Sequence, residues 1–376
     1  MRKLKLMTII GTRPEIIRLS EVIKKCDLFF THILVHTGQN YDYSLNQVFF
    51  EDLGLRSPDY YLDVVGDNLG RTIGNVISKS YELMSEIKPD ALLVLGDTNS
   101  ALCTISAKRL KIPIFHMEAG NRCFDENLPE EINRRIIDHI SDVNLPYTEH
   151  ARRYLLAEGI KKEYIHVTGS PMREVITANR DKIDNSQILM ELELENNKFI
   201  LLSAHREENI DNELNFISLM NSINLLAEKY SMPIIYSVHP RSAKMIEERG
   251  IEFHPLVRQL EPFPFSDYIK LQTSAYCVVS DSGTLPEEAS ILGFPAVSIR
   301  TSTERPEALE KGAFIIGGVS EITVLQSIDM AVEIAESDNI TDVVLDYSSL
   351  YVSMKVVQLI QSYTHIVNTA IWRKPK

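Results

Sequence analysis

Three carboxylates and two guanidinium groups gather around one stretch of the chain, His116-Met117-Glu118-Ala119-Gly120-Asn121-Arg122 followed by Pro129-Glu130-Glu131-Ile132-Asn133-Arg134. That mixture suits proton transfer on an anionic substrate: carboxylates give and take protons, and guanidinium groups neutralise phosphate. The charges follow an apolar run, residues 112–117, and precede a helical period whose apolar stripe is expected to be Ile132, Ile136, Ile137 and Ile140. Taken singly, Glu130 and Glu131 could be first-turn acids that favour the helix dipole, with Glu130–Arg134 and Glu131–Arg135 as i,i+4 pairs.

Other segments carry matching chemistry. Gly11-Thr12-Arg13-Pro14-Glu15 reads as a turn that brings backbone close to phosphate with Arg13 to neutralise it, or as a plain strand-to-helix turn with Pro14 at the first helical position. Asp97 in Leu95-Gly96-Asp97-Thr98-Asn99 is a candidate acid or base that could equally cap a helix. His205-Arg206, directly after an apolar run, suits diphosphate binding or acid catalysis, and His239 follows the next run in the same way. Ser280-Asp281-Ser282-Gly283-Thr284, then Glu287-Glu288, puts hydroxyls and amides at a helix N-terminus, an anion site with a carboxylate one turn in for ribose hydroxyls, or an N-cap alone. Thr303-Glu304-Arg305-Pro306-Glu307 adds a guanidinium whose bland alternative is a surface salt bridge. There is no HExxH, no Asp-rich calcium loop, no close His pair and no GxSxG turn, so metal and serine-triad chemistry are not indicated.

The elements that must position these groups form a rhythm. Short apolar runs at 4–10, 33–37, 91–95, 112–117, 143–145 and 164–167 are each followed by a polar turn and a helical period, the pattern of a parallel α/β sheet. After Thr168-Gly169-Ser170-Pro171 the pattern restarts with 199–203, 234–238, 276–280 and 295–299. Two Rossmann-like domains are predicted, 1–170 and 171–349, with a helix at about 350–376 returning to the first. Ligands of such sheets bind beyond the carboxyl ends of the strands, where all the candidate residues fall, and two facing domains would offer them to one cleft.

A chain of 376 residues exceeds one comfortable core, in line with two domains. A formal charge of −13 argues against a general nucleic-acid surface, so phosphate must be bound by local Arg, His and backbone amides. No apolar run approaches the ~20 residues that span a bilayer. The opening run of residues 1–10 lacks a small-residue cleavage site and reads as a buried strand rather than a signal peptide. Cys26, Cys103, Cys123 and Cys277 show no paired short spacing, which fits a reducing cytoplasm, and Cys123 reads as a small packed residue.

In order and wording these motifs resemble the non-hydrolysing UDP-N-acetylglucosamine 2-epimerase family over nearly the whole chain: GTRPE at 11–15, Gly96-Asp97-Thr98, Glu118-Ala119-Gly120, Pro129-Glu130-Glu131-Ile132-Asn133-Arg134, His205-Arg206, Ser280-Asp281-Ser282-Gly283 and Thr303-Glu304-Arg305-Pro306-Glu307. The resemblance implies a GT-B architecture, a UDP-sugar in the cleft, a homodimer, and inversion at sugar C2 with no nicotinamide or other cofactor. It implies Asp97, Glu118 and Glu130 as the acid/base set with His205 assisting at the diphosphate. Arg13, Arg18, Arg206, His239, Ser282, Gly283, Thr284, Glu288 and Arg305 are then expected to hold the UDP-sugar, Glu288 through the ribose.

Within the family three departures point to one branch. Arg18 stands where the glucosamine enzymes usually carry Lys, the loop Asn121-Arg122-Cys123-Phe124-Asp125-Glu126-Asn127-Leu128 is shorter, and Gly38-Gln39-Asn40-Tyr41-Asp42-Tyr43 replaces a Gln-His segment linked to allosteric UDP-N-acetylglucosamine binding. With Leu145-Pro146-Tyr147-Thr148-Glu149, the chain looks most like the capsule and O-antigen enzymes that convert UDP-2-acetamido-2,6-dideoxy-L-talose to UDP-N-acetyl-L-fucosamine. Two other classes compete. A GT-B glycosyltransferase would share the UDP site but needs no two-face proton transfer, and a nucleotide-sugar sensor would need none of Asp97, Glu118 or Glu130.

Overall fold

The computed structural model describes residues 2–38, 43–204, 206–210, 212–337 and 342–375. His205 and most of the segment 38–43 singled out above therefore lie outside the described residues. The chain divides into two compact units, Met1–Ala178 with Leu345–Lys376, and Asn179–Val344.

The first unit is built on six parallel strands, β1 (Lys5–Ile10), β2 (Thr31–His36), β3 (Tyr60–Tyr61), β4 (Ala91–Leu95), β5 (Ile114–Met117) and β6 (Val143–Leu145), in the order β3-β2-β1-β4-β5-β6. The second repeats the plan with β7 (Ile200–Ala204), β8 (Ile234–Val238), β9 (Val257–Leu260), β10 (Cys277–Ser280), β11 (Ala296–Ser298) and β12 (Ile315–Ile316), ordered β12-β11-β10-β7-β8-β9. Helices cover both faces of such sheets, which is why β4, β7 and β8 are buried throughout and read as continuous apolar runs. In each unit the strand order reverses once, between β1 and β4 and between β7 and β10, the switch point beyond which ligands of such sheets bind. One core packs around Met7, Ile9, Leu92, Val94 and Ile114, the other around Ile200, Leu202, Ile234, Tyr236 and Val279.

Several expectations are corrected. Residues 164–167 form no strand: a 3-10 turn, Lys162–Tyr164, leads into a segment that touches the sheet only through an isolated bridge between Asn144 and Ile165. The amides of His166 and Thr168 still donate to the carbonyls of Asn144 and Pro146, so the segment runs as an irregular edge beside β6. Three strands, β3, β9 and β12, are not among the runs read from the sequence; all are short and partly or wholly exposed, although β12 lies in the apolar run Ala313-Phe314-Ile315-Ile316. The helix Met172–Ala178 packs on the helix Arg13–Phe29 and stays with the first unit, so the division falls after the Gly169-Ser170-Pro171 punctuation. The C-terminal helix, Val352–Ala370, also packs on Arg13–Phe29. Among the described residues no helix is long and apolar enough to cross a membrane.

The helix Pro129–Ile140 departs furthest from its reading. Of the predicted apolar stripe only Ile137 is fully buried, whereas Ile132 and Ile136 are 50% and 38% exposed. Its inner face is instead Glu131, Asn133, Arg134 and Asp138. Burying such groups is unfavourable unless each is paired, so partners for them must be found inside the first unit.

Candidate active site

In the first unit the loops after β1, β4 and β5 carry the candidate groups, and β1, β4 and β5 are consecutive neighbours in the sheet. The turn after β1 is held by Glu15, a buried carboxylate that accepts the amide of Gly11 at 3.0 Å, the hydroxyl of Thr12 at 2.8 Å and, from the loop after β4, the hydroxyl of Ser100 at 2.5 Å. Burial pushes the Glu15 carboxyl up, opposed by these donors. Pro14 lies in the first turn of the helix and Thr12 makes no side-chain cap bond, so Glu15 organises the turn. Arg13 is half-buried with its guanidinium 5.5 Å from the centre of the Phe49 ring.

Every acid on the inner face meets a cation. Arg18, one turn into the Arg13–Phe29 helix, donates to Glu118, and both are buried. Asn121 donates to the other Glu118 oxygen at 3.3 Å. Arg134 donates through Nε to Asp97 at 2.7 Å and through Nη1 to Glu131 at 2.8 Å, a fork that joins the loop after β4 to the helix Pro129–Ile140. Asn133 donates to the Asp97 carbonyl at 2.9 Å. Asp97 is not the cap of the following 3-10 turn; Thr98 stands there, and the Asp97 carboxylate is 19% exposed. Glu131 pairs with Arg134 at i,i+3 more closely than with Arg135 at i,i+4, 3.4 Å away. Burial raises the Glu131 carboxyl, but the amide of Cys123 and Arg134 outweigh it and hold the group below the usual carboxylate range. Glu130 is half-buried. Burial pushes the Cys123 thiol up, and Sγ lies 3.3 Å from Glu131, which leaves little thiolate for nucleophilic work.

The second unit arranges its groups after β7, β8 and β10. Asp281, buried at the end of β10, accepts the Arg206 amide at 2.9 Å and the Asn209 side chain at 3.0 Å, tying the loop after β7 to the loop after β10. The Ser282 hydroxyl accepts the Thr284 amide at 3.3 Å and exchanges a hydrogen bond with the Thr284 hydroxyl at 3.0 Å, while Thr284, the N-cap of the helix Leu285–Leu292, makes no side-chain cap bond. Gly283 sits where a Cβ would meet Glu304 Oε1 at 2.6 Å and Arg206 Nη2 at 3.1 Å. Glu304 is fixed in turn by Arg300, 2.7 Å away. Arg305 is no surface group: buried, it lies 2.5 Å from buried Glu287. Glu288 is buried and accepts the side-chain amide of Gln272 at 2.6 Å. His239 is exposed at the end of β8.

Glu15, Ser100, His116, Asp138, Gln272, Glu287 and Glu304 were not assigned from the sequence, although several stand inside quoted motifs. Among the described residues no group of three or more His, Cys, Asp or Glu could hold a metal ion.

Comparison with known proteins places the chain in a family. A profile of the family described as UDP-N-acetylglucosamine 2-epimerase matches residues 24–361. The UDP-N-acetylglucosamine 2-epimerase of Methanococcus maripaludis is 36% identical over 335 residues, 86% of this chain and 91% of the relative. The structure of UDP-N-acetylglucosamine 2-epimerase from Rickettsia bellii has 48% identity and a TM-score of 0.91, covering 99% of this chain and all of that one (100%). The Methanocaldococcus jannaschii enzyme, solved in complex with UDP-GlcNAc and UDP, has 31% identity and a TM-score of 0.89 over 95% of this chain and 99% of its own.

Proposed function

The chain belongs to the UDP-N-acetylglucosamine 2-epimerase family, and as a UDP-sugar 2-epimerase of GT-B fold type we propose that it inverts C2 of UDP-2-acetamido-2,6-dideoxy-L-talose to give UDP-N-acetyl-L-fucosamine. The observation that carries the reaction type is the set of acids beyond adjacent parallel strands, each paired with a guanidinium: Asp97 with Arg134 and Glu118 with Arg18. A C2 proton with no neighbouring carbonyl is poorly acidic, so its removal is coupled to departure of UDP from C1, leaving a 2-acetamido glycal. UDP then re-adds at C1 while a proton is delivered to the opposite face of C2. Two faces require two acid/base groups, and the departing diphosphate requires cations or a proton donor.

In this reading Asp97, Glu118 and Glu130 share the proton work, and His205 with Arg206 and Arg13 neutralises the diphosphate. Ser282, Gly283 and Thr284 offer amides and hydroxyls to phosphate at the N-terminus of the helix Leu285–Leu292. Glu288, aimed by Gln272, accepts the ribose hydroxyls, and Arg305 and His239 complete the nucleotide contacts. Arg18 stays on the sugar side beside Glu118.

The L-talose substrate rests on loop wording, Glu-Ala-Gly-Asn-Arg-Cys-Phe-Asp at 118–125 with Arg18. A second reading, UDP-N-acetylglucosamine to UDP-N-acetylmannosamine, is favoured by the names of the relatives. Parallel turnover assays with each nucleotide sugar, products separated by ion-pair chromatography, decide between them. Conversion of the talose substrate at a kcat/KM at least ~100-fold above that of UDP-N-acetylglucosamine supports the first; the reverse ratio transfers the protein to the second.

A further inference from the structure

Glu118 adopts φ +64°, a left-handed conformation that is strained for a residue with a Cβ. Such strain persists only where the surroundings over-determine it. The neighbouring Gly96 and Gly120 are also left-handed, at +70° and +81°. All three belong to the two loops that carry Asp97 and Glu118.

What holds these loops together is a buried cluster that the reaction itself does not use. Asp138, on the inner face of the helix Pro129–Ile140, accepts the Gly120 amide at 3.1 and 3.2 Å and Arg122 Nη1 at 2.7 Å. The Arg122 guanidinium is closed on its far side by Glu158, at 2.6 and 2.8 Å, and also donates to the Asn121 carbonyl at 2.7 Å. His116 Nδ1 lies 2.9 Å from Asp138, while its Nε2 donates to the carbonyl of Gly96 at 2.8 Å, the residue before Asp97. The Gly96 amide donates back to the Met117 carbonyl at 2.9 Å. The fit is close: a Cβ on Gly96 would stand 3.3 Å from a Glu118 carboxylate oxygen.

We propose that Asp138 and His116 are positioning residues that set the register between Asp97 and Glu118, Asp138 by gripping the Glu118 loop through Gly120 and Arg122, His116 by packing beside the Asp138 carboxylate and holding the Gly96 carbonyl of the Asp97 loop. The inference rests on the acid/base roles proposed above for Asp97 and Glu118. Burial raises the Asp138 carboxyl, but His116 and Arg122 outweigh it and keep the group below the usual carboxylate range, in keeping with an anion that serves as a fixed anchor. Neither residue touches substrate in this account. Their effect is geometric, and a displacement of about 1 Å in a catalytic group can lower turnover about 100-fold.

The test compares His116→Gln, His116→Leu and Asp138→Asn with the wild type in the turnover assay, alongside UDP affinity by calorimetry and the thermal midpoint. Gln can still donate to the Gly96 carbonyl and Leu cannot. The expected result is a kcat loss of about 100-fold for His116→Leu and Asp138→Asn, with KM and UDP affinity within about threefold, and recovery in His116→Gln to within about tenfold of wild type. Should Asp138→Asn fail to fold, the Gln and Leu pair decides. A kcat within about threefold of wild type in His116→Leu overturns the proposal, as does a loss shared equally by Gln and Leu or matched by loss of UDP affinity. A wild type without turnover on either nucleotide sugar sinks the functional reading instead.

Discussion

Arg134 Nε lies 2.7 Å from Asp97 Oδ2, while Nη1 of the same guanidinium lies 2.8 Å from Glu131, so one buried fork fixes a candidate acid/base carboxylate to a structural one. A lysine has the charge but not the fork. Arg134→Lys is expected to lower kcat about 10- to 100-fold while leaving the affinity for UDP within about twofold, because the loops proposed to hold UDP, Arg13 apart, belong to the second unit. Steady-state kinetics with calorimetric UDP titration check it, and unchanged kcat would show that Asp97 needs no such tether.

Gly283 has no room for a side chain: a Cβ would meet Glu304 at 2.6 Å and Arg206 at 3.1 Å. Gly283→Ala therefore has to push the Arg206–Glu304 pair aside, and UDP affinity is expected to fall about tenfold or more with little change in the thermal midpoint of the first unit. A titration with UDP alone reads this directly. Wild-type affinity in the variant would remove Gly283 and Arg206 from the nucleotide site.

Gly120 combines a φ of +81° with a hypothetical Cβ only 2.5 Å from the Ala151 carbonyl. Gly120→Ala is expected to destabilise the first unit by about 2–4 kcal/mol, at the upper end for single substitutions, and to abolish most turnover by displacing Glu118. Denaturant unfolding followed on both units measures the first effect. A loss below about 0.5 kcal/mol would mean that the backbone relaxes freely there.

His36 ends β2 with its ring buried, and the amide of Gly38 donates to Nδ1 at 3.0 Å. That bond requires the lone pair of a neutral ring. Burial depresses its pKa to about 4, with Asp63 opposing. A depressed histidine favours the folded state while neutral, so this stabilisation is complete above the unfolded value of about 6.5 and is lost as pH falls toward the folded value. Thermal midpoints recorded between pH 7 and 4 are expected to fall more steeply for wild type than for His36→Gln; parallel curves would refute the assignment.

Much of this architecture is written locally. Ala91–Leu95, Val143–Leu145 and Ile234–Val238 are buried strands with the bounds that their apolar runs suggest, because a strand covered on both faces needs little besides β-forming apolar residues. Edge strands such as Tyr60–Tyr61 and Val257–Leu260 carry no such run, since their side chains are partly in solvent. The polar interior is harder still to read. Glu15 meets Ser100 across 85 positions, Arg18 meets Glu118 across 100, and Gln272 aims Glu288 from a different helix, so no spacing rule reaches them. The helix Pro129–Ile140 misleads for the same reason: its isoleucines suggest the inner face, but the partners that satisfy Glu131, Arg134 and Asp138 come from elsewhere in the fold.

The central claim, inversion at C2 by elimination and re-addition of UDP, is tested most directly by proton NMR of the protein in D2O with UDP-2-acetamido-2,6-dideoxy-L-talose, a UDP-N-acetylglucosamine sample run beside it. The account predicts loss of the C2 proton signal as deuterium enters and appearance of the fuco epimer in the talose sample. It also predicts that Glu118→Gln abolishes both changes while still binding UDP. Absence of C2 exchange with either nucleotide sugar would contradict it.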